Sequence, residues 1–330
     1  MKLSIIIPVY NRPAETRELL QSLTRQTDRD FEVIVVEDGS TDPSRDVTDD
    51  FREQLDIGYY FKENTGPGPS RNFGSAKAHG DYLIFLDSDC VLPQEYVHRV
   101  RESLQRDYAD AFGGPDRAHA DFTTFQKAIN FSMTSFLTTG GIRGGTERMG
   151  KFHPRSFNMG FSTKVFEATG GFSSMRFGED VDLSIRILEQ GFRTRLIKEA
   201  FVYHKRRSTL RQFFKQVFNS GMARIHLSIR HPGTLKWVHA LPALFTLGAP
   251  VLVLLALVAS WYFVLPLALH LVLLFLSSTW KNRSLSTGLL SVLTSYTQLF
   301  AYGTGFLYAF FLSRILGRGE SSAFKQNFYR

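Results

Sequence analysis

From Leu241 to Ser277 the chain carries no Asp, Glu, Lys or Arg, and Leu, Val, Ala and Phe dominate. A stretch so long and so apolar cannot be an ordinary surface helix, because no face of it suits water. At roughly 20 residues per crossing it is long enough for two membrane helices, joined by a tight turn near Ser260-Trp261-Tyr262. A second uncharged stretch, Ser284 to Ser313, is long enough for a third crossing. Thr294, Ser295, Thr297, Gln298, Tyr302 and Thr304 make it polar, and Gly303 and Gly305 loosen it. The expected spans are 240–258, 261–279 and 287–313, within a transmembrane region over 238–313 and before a basic tail over 314–330.

The first 230 residues read as one domain of a different kind. Leu3-Ser-Ile-Ile-Ile-Pro8 and Phe31-Glu-Val-Ile-Val-Val-Glu37 are nearly continuous in Ile and Val, as strands covered on both faces are. Between them lies a helix with Pro13 in its first turn and Leu19, Leu20 and Leu23 on one face. Tyr59-Tyr60-Phe61 is a further strand, and Pro69 starts a helix running toward Gly80. The strand Tyr82-Leu-Ile-Phe-Leu86 follows, then a helix opened by Pro93 and a strand over Ala109–Gly113. Strands alternating with helices in right-handed crossovers predict an α/β fold with a doubly wound sheet. Over 208–230, Phe213, Phe214, Val217, Phe218, Met222 and Ile225 recur at helical spacing. Their place just before the first span predicts an interfacial helix.

The formal net charge is +8. The bases gather at Lys205, Arg206, Arg207, Arg211, Lys215, Arg224 and Arg230, directly before the apolar stretch. That placement fits cytosolic orientation and anionic lipid headgroups, and we assign it to the membrane rather than to nucleic acid. Three full crossings would put Arg314, Arg318, Lys325 and Arg330 outside, against the same rule; a third segment that enters without crossing would not. Cys90 is the only cysteine, which excludes an intrachain disulfide and suits a reducing cytosol. No basic region precedes the first strand and no small-residue cleavage site follows it, so we expect no secretory signal.

Chemistry is concentrated where strands end. Tyr82–Leu86 runs into Asp87-Ser88-Asp89. In an extended segment alternate residues point the same way, so the two carboxylates can aim at one point past the strand. Open α/β sheets bind ligands at the carboxyl ends of their strands. Hard oxygen ligands there suit Mg²⁺ or Mn²⁺ carried on a diphosphate. Pro8, Val9 and Tyr10, with Asn11 beside them, can floor a nucleotide base, and Asp38 can accept a hydrogen bond from it. Gly66 and Gly68 admit a ligand close to the backbone. Arg71 and Asn72, in the first turn of the next helix, can reach a diphosphate or ribose. Glu179 and Asp180 open another helix, whose dipole favours ionised carboxylates.

These segments fall in a fixed order with Asn158-Met159-Gly160, Gly170-Gly171-Phe172, Gly178-Glu179-Asp180-Val181-Asp182 and Tyr203-His204. Over residues 2–230 the ordered set closely resembles the family 2 glycosyltransferases, which have the GT-A fold. The resemblance implies a Rossmann-like catalytic domain, followed here by helical membrane segments, that moves a sugar from a nucleoside-diphosphate sugar with inversion. It implies that Asp89 binds the divalent metal directly, that Asp87 contacts ribose or a metal-bound water with Ser88 beside it, and that His204 is a third ligand. It makes Asp180 the base and leaves Glu179 to grip the acceptor.

A cytosolic active site joined to membrane helices suggests a polyprenyl-linked saccharide as acceptor, with Lys205, Arg206, Arg207 and Arg211 as candidates to engage its phosphates. Gly140–Gly145, with Phe131 and Phe136, is expected to form or close the acceptor site. The expected location is the inner cell membrane, multi-pass, with the catalytic domain in the cytoplasm. Three other readings stand beside this one. A polyprenyl-phosphate monosaccharide synthase would need little base help. A processive polysaccharide synthase expects a Gln-x-x-Arg-Trp motif, which Gln212-Phe-Phe-Lys215-Gln216 lacks. A non-enzymatic nucleotide-sugar sensor or scaffold would not need every acidic motif intact.

Overall fold

In chain order the first elements are β1 (Leu3–Val9), α1 (Pro13–Thr24), β2 (Phe31–Asp38), α2 (Arg45–Asp49), β3 (Ile57–Lys62), α3 (Pro67–Ser75), β4 (Tyr82–Leu86), β5 (Cys90–Val91), α4 (Tyr96–Arg106), β6 (Ala111–Gly113) and β7 (Asp116–Arg117). Then come α5 (Thr124–Thr134), α6 (Phe136–Thr139), β8 (Asn158–Ser162), α7 (Thr163–Thr169), α8 (Glu179–Glu189), β9 (Thr194–Leu196) and β10 (Val202–His204). Four longer helices close the order: α9 (Leu210–Arg230), α10 (Trp237–Val258), α11 (Leu265–Asn282) and α12 (Leu285–Phe310). The computed structural model describes residues 1–117, 122–140, 152–205 and 207–318. Gly141–Gly145 of the glycine-rich segment, Arg206, Lys325 and Arg330 lie outside the described residues.

The described residues group into two units, 1–117 with 152–205 and 122–140 with 207–318. The first is built on a seven-stranded sheet in the order β3-β2-β1-β4-β8-β6-β9. Its strands lack polar alternation because both faces are covered. Ile5 and Ile7 pack with Leu19, Leu20 and Leu23 of α1 and with Tyr96, Val97 and Val100 of α4. Ile6, one residue out of phase, packs on the other face with Val165 of α7 and Leu183 and Ile187 of α8. Each fully buried side chain of this kind contributes about 1.5–3 kcal/mol, so both layers depend on the pleat of β1.

The expected α/β sheet is present, with β1 and β2 parallel as read, and it is mixed in direction. β1 pairs in parallel with β2 and β4, whereas β8 runs antiparallel between β4 and β6. Between β7 and β8 the chain forms α5 and α6, which belong to the second unit, so no helix packed on the sheet joins β8 to a parallel neighbour. A second sheet, β5-β10-β7, sets β10 antiparallel to β5 with His204 opposite Cys90. Helix α3 begins at Pro67, two residues before the expected Pro69, because Gly66 takes the N-cap position at φ 96° and Pro67 suits the first turn. The helix attributed to Pro93 opens at Tyr96.

The second unit gathers α5, α6 and α9 with the C-terminal helices, although the first two and α9 lie within the first 230 residues. Among the described residues, α10 and the segment Trp261–Asn282, which contains α11, are long and apolar enough to cross a membrane. Their side chains face outward: Leu254, Leu257, Leu269 and Leu276 are exposed, as are Trp237, Trp261 and Trp280. The third apolar stretch behaves differently. α12 buries Thr294, Ser295 and Gln298, and the Thr294 hydroxyl donates to the Ala128 carbonyl of α5 at 3.1 Å. Gly303 and Gly305, read as loosening it, are where it packs most closely. A Cβ on Gly303 would meet the Pro242 carbonyl of α10 at 2.4 Å, and one on Gly305 the Phe218 carbonyl of α9 at 2.1 Å. Small residues that let backbones approach are the usual device of membrane helix packing. Helix α9 lays Phe213 and Val217 into this unit, and Phe131 is buried there too, leaving only Phe136 of the two expected acceptor-site aromatics exposed.

Candidate active site

The candidate site belongs to the first unit and is organised by two arginines. β4 ends at Leu86, and residues 87–90 form a turn in which the Cys90 amide donates to the Asp87 carbonyl at 3.0 Å. The extended geometry expected to aim Asp87 and Asp89 at one point therefore stops before either residue. Each carboxylate instead has its own cationic partner.

Asp89 is buried, and one carboxylate oxygen accepts from the Arg12 guanidinium. Its other oxygen, Oδ1, lies 3.1 Å from His204 Nε2. β10 delivers that histidine, and Phe157 stacks on the ring with centroids 5.1 Å apart. Burial by itself would raise the Asp89 carboxyl; His204 and Arg12 outweigh it and hold the group well below the usual carboxylate range. Asp89, Cys90 and His204 offer ligand atoms that all lie within 4.8 Å of one another. A carboxylate and an imidazole that close, with Asp87 two residues away, are a donor set a divalent Mn²⁺ or Mg²⁺ fits.

Asp87 takes Arg71, whose Nη2 stands 2.7 Å from its Oδ1. Arg71 is buried on α3 and reaches the other way to Glu179 Oε1 at 3.0 Å, with its guanidinium 5.2 Å from the Phe172 ring centroid. One buried cation thus ties the turn after β4 to the start of α8. Glu179 is pushed up to about 7, first by burial and then by the neighbouring Asp180 charge, with Arg71 opposing both. Asp180 goes the other way. Burial would raise it, but Arg155 donates to its Oδ2 at 2.8 Å and holds it below the ordinary value. Two adjacent carboxyls with opposite shifts are the pattern of an acid and a base kept apart by environment.

The remaining expected residues have the following surroundings in this structure. Asp38 is buried at the end of β2 and accepts from Lys62 Nζ at 2.6 Å and from the Thr65 and Gly66 amides at 2.9 and 2.8 Å. Oδ1 takes the first two of these donors and Oδ2 only the Gly66 amide, so Oδ2 keeps acceptor capacity for one further donor. Asn11, at φ 51°, accepts the Thr41 and Asp42 amides at 2.8 and 2.9 Å and ties the loop after β1 to the loop after β2. Asn72 spends its amide on the Phe172 backbone, donating at 2.7 Å and accepting at 2.8 Å. Pro8 is partly buried at the end of β1 with Tyr10 just past it, Gly66 caps α3, and Ser88 is buried in the turn after β4. Lys205, expected near an acceptor phosphate, pairs with Glu18 at 2.6 Å. Sequence reasoning missed Arg12, Lys62 and Arg155. The one available signal was that Arg12 and Lys62 each stand next to a segment already singled out.

Residues 4–178 match the model of the family described as glycosyl transferase family 2. The succinoglycan biosynthesis protein ExoA of Rhizobium meliloti is 27% identical over 271 residues, 79% of this chain and 80% of that protein. An uncharacterized glycosyltransferase of Rickettsia felis is 43% identical over 96 residues, 29% of this chain. The first curated relatives are matched over 13% to 16% of their own length. Among solved structures, the mannosyltransferase PcManGT of Pyrobaculum calidifontis, in complex with GDP-Man and Mn²⁺, superposes with a TM-score of 0.67 at 17% identity, over 93% of this chain and 87% of that one. S. aureus TarS 1-349, in complex with UDP-GlcNAc, does so with a TM-score of 0.51 at 19% identity, over 96% and 93%. At such identities the likeness is one of fold, the GT-A fold.

Proposed function

This chain belongs to glycosyl transferase family 2, and from that premise we propose that it is a membrane-anchored, metal-dependent inverting transferase. It moves a sugar from a nucleoside-diphosphate sugar to a hydroxyl of a lipid-linked saccharide in cell-surface glycan synthesis. The observation that carries the reading is the linked acidic cluster: Asp87 and Asp89 beside His204, joined through Arg71 to Glu179 and Asp180. ExoA, named for succinoglycan biosynthesis, and the GDP-Man and UDP-GlcNAc held by the two solved structures support it.

Asp89 and His204, with Asp87, would hold the divalent ion. When bound, it offsets the negative charge that builds on the departing nucleoside diphosphate. Asp180, kept ionised by Arg155, takes the proton of the acceptor hydroxyl as its oxygen attacks the anomeric carbon. The bond from that carbon to the diphosphate oxygen breaks on the opposite side, so configuration inverts in one displacement. For Asp180 to act as base, half-exposed Arg155 must move aside. Burial then dominates and lifts the carboxyl toward working pH, where a base is most effective. Glu179, part-protonated near neutrality, can donate a hydrogen bond to the acceptor while Arg71 holds it.

The lipid character of the acceptor rests on α10 and α11. Helices fit to span a membrane would tether the chain that carries the site to a lipid bilayer, with the basic residues of α9 on the cytosolic side. A second reading, transfer to a polyprenyl phosphate, is favoured by the Arg155–Asp180 pair itself, since a phosphate acceptor is already ionised and needs no base. A donor screen on the purified full chain in detergent, reading nucleoside diphosphate released with each acceptor class, tests both. Release with no nucleotide sugar, in the presence of either acceptor and Mn²⁺, would refute the enzyme reading.

A further inference from the structure

We propose that Arg12 is a resident stand-in cation. It holds Asp89 until a divalent ion takes that place, then passes to the donor's diphosphate, so that metal and diphosphate bind only as a pair. The inference rests on the donor-site reading above and goes beyond it, because it assigns a role to a residue outside the expected site.

The argument is one of charge and attachment. Arg12 donates to Asp89 Oδ2, while Asp89 Oδ1 faces His204 Nε2 at 3.1 Å. The atoms that would hold an ion are therefore together, but one of the carboxylate's oxygens is already occupied by a cation. Arg71 stands in the same relation to Asp87. Asp87 and Asp89 face Arg71 and Arg12, with Glu179 also on Arg71 and His204 also on Asp89, so opposite charges in the cluster are already balanced against one another. A divalent ion alone would leave two positive charges uncompensated beside a buried carboxylate, and a diphosphate alone two negative ones. Desolvation makes either state costly. If both arrive and the arginine changes partner, the balance is restored.

Attachment decides which arginine can move. The Arg71 side chain is 3% exposed and held from two sides, whereas that of Arg12 is 29% exposed and paired at one end. Arg12 is the N-cap residue of α1, and its carbonyl accepts from the Thr16 amide at 3.0 Å and the Thr16 hydroxyl at 2.8 Å. Its backbone is thereby fixed while the side chain can swing without disturbing the helix. A guanidinium grips phosphate oxygens as a fork, which a point ammonium cannot do.

The test is an electron paramagnetic resonance titration of Mn²⁺ on the full chain in detergent, alone and with each of a panel of nucleoside diphosphates. In the wild type Mn²⁺ alone should bind weakly, and the cognate nucleoside diphosphate should tighten it by about 5- to 150-fold, the ordinary range of coupling between sites. Arg12→Gln should bind Mn²⁺ alone more tightly by a factor in the same range and lose most of the coupling. Arg12→Lys retains a cation for Asp89, so Mn²⁺ alone should stay weak while the coupling falls; it decides the matter if the glutamine variant does not fold. Either variant showing wild-type Mn²⁺ affinity together with wild-type coupling overturns the inference and leaves the donor site standing. A wild type that binds no Mn²⁺ with any nucleoside diphosphate overturns the donor-site reading as well.

Discussion

Replacing Arg71 with Met should destabilise the first unit by an amount that depends on pH, because the arginine's main buried partner is itself titratable. Glu179 has a folded value raised from 4.5 to about 7. That gap corresponds to about 3 kcal/mol withheld from the folded state once the group ionises, at about 1.4 kcal/mol per tenfold change. A carboxyl raised on folding contributes stability that is full below its unfolded value and falls as pH rises through its folded value. Arg71 is one of the influences that lower Glu179, so Arg71→Met raises the folded value further and extends the falling range upward. Near pH 5.5 Glu179 is protonated, and the variant loses a hydrogen bond and the half-exposed Asp87 pair, about 1 kcal/mol. Near pH 8 the variant's Glu179 stays protonated in the folded state while that of the wild type is ionised, so linkage adds at most about 1.4 kcal/mol and the loss reaches about 2–3 kcal/mol. At about 2–4 °C per kcal/mol for a unit of this size, thermal melts of the full chain in detergent should show a deficit of about 2–4 °C at pH 5.5 and about 4–12 °C at pH 8. Adding Glu179→Gln should return most of the pH 8 loss. An equal deficit at both pH values, or no recovery in the double variant, would refute the reasoning.

The other expectations follow from the same cluster and from the helices. Asp89→Ala should lower turnover by several orders of magnitude, since charge on the leaving group goes uncompensated; full activity of the wild type in excess EDTA would contradict it. Asp180→Asn should leave donor affinity near wild type while transfer to a hydroxyl acceptor falls by about 10²–10⁴-fold; transfer that persists removes Asp180 as base and favours the polyprenyl-phosphate acceptor. Arg155→Gln removes the main influence holding Asp180 low, so the acid limb of the pH–rate profile should move upward, and an unmoved limb would disconnect the pair from the rate. Alkaline carbonate should fail to extract the protein, and a reporter fused after Ser40 should read as cytosolic; extraction or a periplasmic signal would overturn the membrane anchor.

The residues show why some of this was legible beforehand. Continuous Ile and Val in β1 and β2 could only be strands covered on both faces, and the uncharged run through α10 and α11 could only shun water. Both conclusions follow from local composition, which any neighbourhood must satisfy. The acidic residues were visible for the same reason: Asp87, Asp89, Glu179 and Asp180 stand at strand and helix ends, positions that the local pattern reveals. Arg12, Arg155 and Lys62 were not visible, because an arginine or lysine in a loop or at a strand end looks alike whether it meets water or a carboxylate 77, 25 or 24 residues away.

Sequence alone therefore determined the layered α/β unit, the apolar helices and the acidic residues of the candidate site. Tertiary structure decided the direction of β8, the packing role of Gly303 and Gly305 and the partner of each carboxylate. It also decided which of Glu179 and Asp180 is raised and which lowered. The physical reason is range. Hydrophobic periodicity and helix-end chemistry act between neighbours along the chain, whereas the pKa of a buried carboxyl is set by desolvation and by charges that distant segments bring within about 3 Å.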